Sequence, residues 1–150
     1  MSGTFSNLLV HVVFSTKERE RWITPLIAKR LHPYMGGIVR AHGAAAIAIG
    51  GVEDHVHLLV RMKPDQALAD LMRMVKARSS RWIHERFPAL REFAWQEGYA
   101  AFSVSKSNEA AVKRYIENQA EHHAQRGFKD ELIAMLERSG VEYDERYVFS

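Results

Sequence analysis

Short apolar runs alternate with stretches of helical period along this chain, and their order sets the fold class. Leu8 to Phe14 (Leu-Leu-Val-His-Val-Val-Phe) is a β-rich run of strand length that stops at Ser15, Thr16 and a cluster of charges. Thr24 followed by Pro25 is a helix-start signal, because proline at the first helical position gives up an N–H that would have no partner. Leu26, Ile27, Leu31, Tyr34 and Ile38 then recur at helical spacing up to the Gly43 region. Ala44 to Ile49, closed by Gly50 and Gly51, and His55 to Met62 are two further runs a short turn apart, which predicts a β-hairpin. After Pro64, Leu68, Leu71, Met72, Val75 and Trp82 mark one face of a second, long helix whose opposite face carries Arg73, Lys76 and Arg81. A loop with Pro88 and Gly98 leads to a fourth strand, Ala100 to Ser105. A third helix, capped by Ser107 or Asn108, runs to about His123, and a last short helix spans Lys129 to Arg138 ahead of a polar tail.

The order β, α, β, β, α, β with extra helices at the C-terminal end predicts an α+β fold, the ferredoxin-like βαββαβ sandwich. Its sheet is antiparallel with helices on one face, and the other face or the edges are expected to stay open for a ligand. At 150 residues, with no repeat, linker or low-complexity segment, the chain reads as a single domain over 1–150. The same fold serves nucleic-acid-binding modules and small enzymes, so particular residues have to decide the chemistry.

Composition narrows the options. Cysteine is absent, so disulfides, thiolate metal sites and cysteine nucleophiles are excluded, and any metal must sit on His, Asp, Glu, Gln or Asn. No apolar run is long enough to cross a bilayer and no basic-then-apolar leader follows Met1, which predicts a cytoplasmic protein with no membrane partner. The net charge of +3 is only mildly basic, but it is unevenly spread. Arg61 to Arg91 holds eight Lys or Arg against three acids, whereas Lys129 to Ser150 holds three against six. The mid-chain excess fits either a solvated helix face or a polyanion-binding face.

Two constellations can carry chemistry. In His55-Val56-His57 the imidazoles lie two apart on a strand and share a face, while Val56, Leu58 and Val60 point the other way into the core. Such a pair can ligate a divalent metal, or simply be tolerated on a half-exposed sheet face. In Tyr115-Ile116-Glu117-Asn118-Gln119 a phenol and an amide oxygen stand at i and i+4 on one helix, beside the apolar stripe of Val112 and Ile116. A tyrosine there is also an ordinary core-edge residue. Together the two sets propose one reaction. Two His and the Gln119 oxygen hold Mg²⁺ or Mn²⁺ on a DNA phosphate, and Tyr115 attacks phosphorus in line. A phenol with an ordinary pKa near ~10 needs a cation or base to react at neutral pH, and the metal with flanking Lys113 and Arg114 can help.

The ordered phrases His11-Val12-Val13-Phe14-Ser15-Thr16-Lys17, Asp54-His55-Val56-His57-Leu58-Leu59-Val60, Gly98-Tyr99 through Phe102-Ser103-Val104-Ser105, and Tyr115-Ile116-Glu117-Asn118-Gln119 resemble the single-tyrosine HUH transposases, from about Leu8 to Phe128. That family moves insertion sequences as single strands and includes relatives associated with repetitive palindromes. The resemblance implies a ferredoxin-like core, a metal on His55 and His57 with Gln119 as third ligand, and Tyr115 as nucleophile. It implies cleavage and rejoining through a 5′-phosphotyrosine, with single-stranded DNA hairpins recognised at element ends. In the insertion-sequence branch it also implies a homodimer in which the tyrosine helix can complete the partner's His pair. Arg73, Lys76, Arg78, Arg81, Lys113 and Arg114 are the expected DNA contacts.

Three other readings stay open. HUH replication initiators and relaxase-type nickases share the His pair, and some carry two tyrosines, but position 119 is Gln here. A non-catalytic nucleic-acid-binding module would offer strand aromatics for base stacking, and strands one and three offer His11, His55, His57 and aliphatics instead. A metal hydrolase would use the His pair and have no need of Tyr115. Two further histidines border the constellations: His11, expected to be a packed strand residue, and His122, expected to meet a helix C-terminus. The acid-rich stretch after Lys129 has no assigned role.

Overall fold

The computed structural model describes residues 3–123 and 127–148. Its elements run β1 (Leu8–Ser15), α1 (Pro25–Ala41), β2 (Ala45–Val52), β3 (His55–Met62), α2 (Leu68–Arg86), β4 (Ala100–Val104), α3 (Glu109–Glu117), α4 (Gln119–His123) and α5 (Phe128–Arg138). The four strands form one sheet in the order β2-β3-β1-β4 with every pairing antiparallel. This is the expected α+β, ferredoxin-like βαββαβ arrangement with C-terminal helices. No helix among the described residues is long and apolar enough to cross a membrane.

Strand alternation divides the core between the two faces of the sheet. Val12, Phe14, Val56, Leu58 and Val60 point to one face, where Leu31, Met35 and Val39 of α1 and Leu71, Met72 and Val75 of α2 cover them. Thr24 opens α1 by accepting a hydrogen bond from the Ile27 backbone N–H at 3.4 Å. Leu9, Val13, Leu59 and Phe102 point to the other face. That second face was expected to stay open, and it does not. Ile116 of α3 and Phe128, Leu132, Met135 and Leu136 of α5 pack on it. An apolar sheet face opposite two amphipathic helices is buried by the same hydrophobic gain that builds the first layer.

Two boundaries also differ from the sequence reading, and both adjust the site. Gly50 and Gly51 do not close β2 but lie inside it, paired with His57 and Val56. A Cβ on Gly50 would stand 2.2 Å from the Ile116 carbonyl oxygen, so the glycine lets α3 approach the sheet. The third helix does not run unbroken to His123. Asn118 leaves helical geometry at φ −105° and ψ 28°, which separates α3 from α4 between Tyr115 and Gln119.

Candidate active site

β3 is the second strand of the sheet, and its alternation turns His55 and His57 toward α3 and α5 rather than toward α1 and α2. Both imidazoles are fully buried, and each uses its Nδ1 for orientation. His55 Nδ1 lies 2.7 Å from the Asp54 carboxylate, which can only accept, so His55 carries a proton on Nδ1. His57 Nδ1 lies 2.8 Å from Nε2 of His11, placed there because β1 pairs with β3. Burial first, and His57 second, lower the His11 pKa to about 3 against a smaller opposing pull from Glu131. A neutral His11 can accept the His57 Nδ1 proton, which leaves on His57 Nε2 the lone pair that a cation would need.

The two Nε2 atoms converge on a residue that the sequence reading did not single out, Glu131 of α5. Glu131 Oε1 lies 3.0 Å from His57 Nε2 and 3.4 Å from His55 Nε2, and a suitable ligand atom of each residue lies within 4.8 Å of the others. Gln119, buried on α4, places its Oε1 3.2 Å from His55 Nε2. Its amide nitrogen donates to Glu131 Oε2 at 3.4 Å and to the Tyr115 carbonyl at 3.3 Å. Tyr115 donates its hydroxyl to Glu131 Oε2. Its ring stands edge-on to His57, with centroids 5.8 Å apart. The sequence-predicted residues His55, His57, Tyr115 and Gln119 thus meet within one chain.

The electrostatics suit a cation. Nε2 of both histidines and the side-chain oxygens of Gln119 and Glu131 bring lone pairs to one point, and only a positive ion or a shared proton satisfies such a set. Burial works against charging His55, but hydrogen bonds to Asp54 and Glu131 outweigh it and raise the pKa above the ordinary histidine value. Burial first, then the hydrogen bond to Glu131, push the Tyr115 phenol up. Imidazole nitrogen with amide and carboxylate oxygen, and no thiolate, is a donor set that suits Mg²⁺ or Mn²⁺.

The basic residues separate into three groups. Arg73, Arg78 and Arg81 are exposed on α2, where Arg73 pairs with Asp70 at 3.5 Å and Arg81 with Glu85 at 3.2 Å. Lys113 and Arg114 are exposed on α3 beside Tyr115. Lys76 departs from the expected phosphate contact. Its ammonium donates to the backbone carbonyls of Gln96, Glu97 and Gly98 at 2.8, 3.2 and 2.5 Å. Three carbonyls use the three ammonium protons, so Lys76 fixes the loop before β4 instead. Trp82, marked by its place in the helical stripe, is a core residue, and so is Trp95. The side chains of His122 and His123 lie outside the described residues.

Sequence comparison decides the family. Residues 4–119 match the family model described as "Transposase IS200 like". This chain belongs to the IS200-like transposase family. Its relatives include the ISDra2 transposase TnpA of Deinococcus radiodurans, 29% identical over 122 residues that cover 78% of this chain and 87% of the relative. The transposase for insertion sequence element IS200 of Salmonella typhimurium is 26% identical over 127 residues, covering 81% and 82%. A crystallised Deinococcus radiodurans protein assigned as a transposase superposes with a TM-score of 0.67 at 27% identity, covering 79% of this chain and 95% of that one. A REP-associated tyrosine transposase bound to a REP hairpin shares the fold, with a TM-score of 0.60 at 13% identity, covering 100% and 93%. The family match ends at Gln119, so α5 and Glu131 lie beyond the IS200-like segment.

Proposed function

We propose that this transposase cuts and rejoins single-stranded DNA by transesterification at Tyr115. The observation that carries the reading is the meeting of Tyr115 and Gln119, on α3 and α4, with His55 and His57 of β3 in one buried cluster. The Tyr115 oxygen attacks a backbone phosphorus, the P–O3′ bond breaks, and the tyrosine proton leaves as the 3′ oxygen becomes a hydroxyl. The product is a 5′-phosphotyrosine that keeps the energy of the diester, so a second 3′ hydroxyl can reverse the step without ATP. His55, His57 and Gln119 would hold Mg²⁺ or Mn²⁺, which supplies positive charge against the phosphate when bound.

DNA hairpins are the proposed substrate, in keeping with the hairpin held by the REP-associated neighbour. Arg73, Arg78, Arg81, Lys113 and Arg114 offer exposed cations for its backbone. Transposition requires two strand cuts held at once and each chain has one Tyr115, so the working unit is a homodimer, acting in the cytoplasm. A replication initiator or relaxase with a second tyrosine at this helix is disfavoured, because Gln119 faces His55 at that position.

The test is capture of a covalent adduct with a single-stranded oligonucleotide carrying a hairpin. Wild type with Mn²⁺ is expected to form it, and Tyr115→Phe to lose it while still binding the hairpin. Binding should weaken with salt, and removing one of the arginines should flatten the slope by about one unit. An adduct from Tyr115→Phe would overturn the tyrosine mechanism, and a salt-independent affinity would overturn the arginine contacts.

A further inference from the structure

α5 has an acid where its pattern calls for a hydrophobe. Its buried positions are Phe128, Glu131, Leu132, Met135 and Leu136, the i, i+3, i+4, i+7, i+8 stripe of a core-facing helix. Phe128 stacks on His55 with ring centroids 4.1 Å apart, and Leu132 packs in the cluster with Val13 and Phe102, so the helix is seated on both sides of the acid. Glu131 is left 2% exposed. Burying a carboxylate is costly unless its charge is met.

The two carboxylate oxygens are divided between two tasks. Oε1 faces both ligand nitrogens, at 3.0 and 3.4 Å. Oε2 accepts from the Tyr115 hydroxyl and from the Gln119 amide. A residue in this position touches the metal site with one oxygen and the nucleophile with the other. Resting on the metal reading given above, we propose that Glu131 is a further ligand of the same divalent metal, supplied by α5, and that it holds the Tyr115 hydroxyl beside it. The ligand set then has two imidazole nitrogens and two oxygens, one of them anionic, which favours a hard cation more than His55, His57 and Gln119 do alone. The cation in turn answers the buried charge of Glu131.

The measurement is Mn²⁺ affinity, read from the spin-resonance signal of free Mn²⁺ in titrations of wild type, Glu131→Gln, Glu131→Asp, Asp130→Asn and His57→Ala. Glu131→Gln keeps the shape and removes the charge, and is expected to weaken Mn²⁺ by about tenfold or more, at the scale of losing a supporting ligand. Asp130→Asn removes an exposed neighbour on the same helix and is expected to bind as wild type. Addition of Mn²⁺ should also change the near-ultraviolet signal of Tyr115, identified by its loss in Tyr115→Phe, and that change should vanish in Glu131→Gln. Should Glu131→Gln not fold by circular dichroism, Glu131→Asp, which keeps the charge and shortens the reach, takes its place with the same expected direction. Folded Glu131 variants with wild-type Mn²⁺ affinity would overturn the proposal while His57→Ala still loses the metal. If His57→Ala also binds as wild type, the metal reading fails with it, so the two failures are told apart.

Discussion

Gly50 permits the close approach of α3, and with it Tyr115, to the sheet that carries the histidines. It faces α3 from β2, and a single added methyl group would meet the Ile116 backbone at 2.2 Å, a contact that no side-chain rotation relieves. Gly50→Ala is therefore expected to push α3 outward. Overpacking of this kind costs about 1–3 kcal/mol, and Tyr115 is the immediate neighbour of the displaced residue. A lower melting temperature should be accompanied by a fall in adduct formation at temperatures where the variant is still folded. A folded variant with the wild-type rate would show that the close approach serves packing alone. At the same scale, His11 and Asp54 set the ring orientations of the His pair through the two Nδ1 atoms. The Asp54 role follows from adjacency in sequence. The His11 role does not, since it depends on β1 pairing with β3 across a separation of 46 residues.

At the scale of elements, the periodicities place the four strands, α1, α2 and the hairpin close to where they are found, because one buried face imprints a period of 2 or 3.6 on each segment. His55 and His57 are legible for the same reason, as alternate positions on a strand. The helix break at Asn118 is not legible, because a continuous helical period spans it. Glu131 is missed because it stands 74 residues from His57 in a stretch whose charge reads as solvated surface. The usable signal was there: an acid at i+3 from Phe128 inside the stripe completed by Leu132, Met135 and Leu136. That stripe makes the seating of α5 testable. Phe128 is buried on His55, and Phe128→Ala should cost about 3–5 kcal/mol, the range for emptying an aromatic site. Amide exchange in α5 is expected to accelerate well before exchange in β1 and β3. Equal acceleration throughout would mean that α5 does not open apart from the sheet.

For the whole molecule, the proposed mechanism requires one nucleophile per chain to serve a reaction with two cuts. Tyr115 and Gln119 reach the histidines of their own chain, and Glu131 ties Tyr115 to that same site. The homodimer that the resemblance to the insertion-sequence branch implies instead lends the tyrosine helix to a partner. The two assemblies predict opposite outcomes when a Tyr115→Phe chain is mixed with a His57→Ala chain, each inactive alone. If the tyrosine helix crosses between subunits, one of the two sites in a mixed dimer combines an intact His pair with an intact Tyr115, and adduct formation returns to at most about half the wild-type level. If each site is completed by its own chain, every site in the mixture lacks one part and no adduct forms. The homodimer reading with exchanged helices predicts rescue, together with a dimeric mass in solution. No rescue with a dimeric mass would keep the two-fold assembly and assign each site to a single chain. No rescue with a monomeric mass would overturn the dimer, and would leave the two cuts to be made by molecules acting in turn on one DNA.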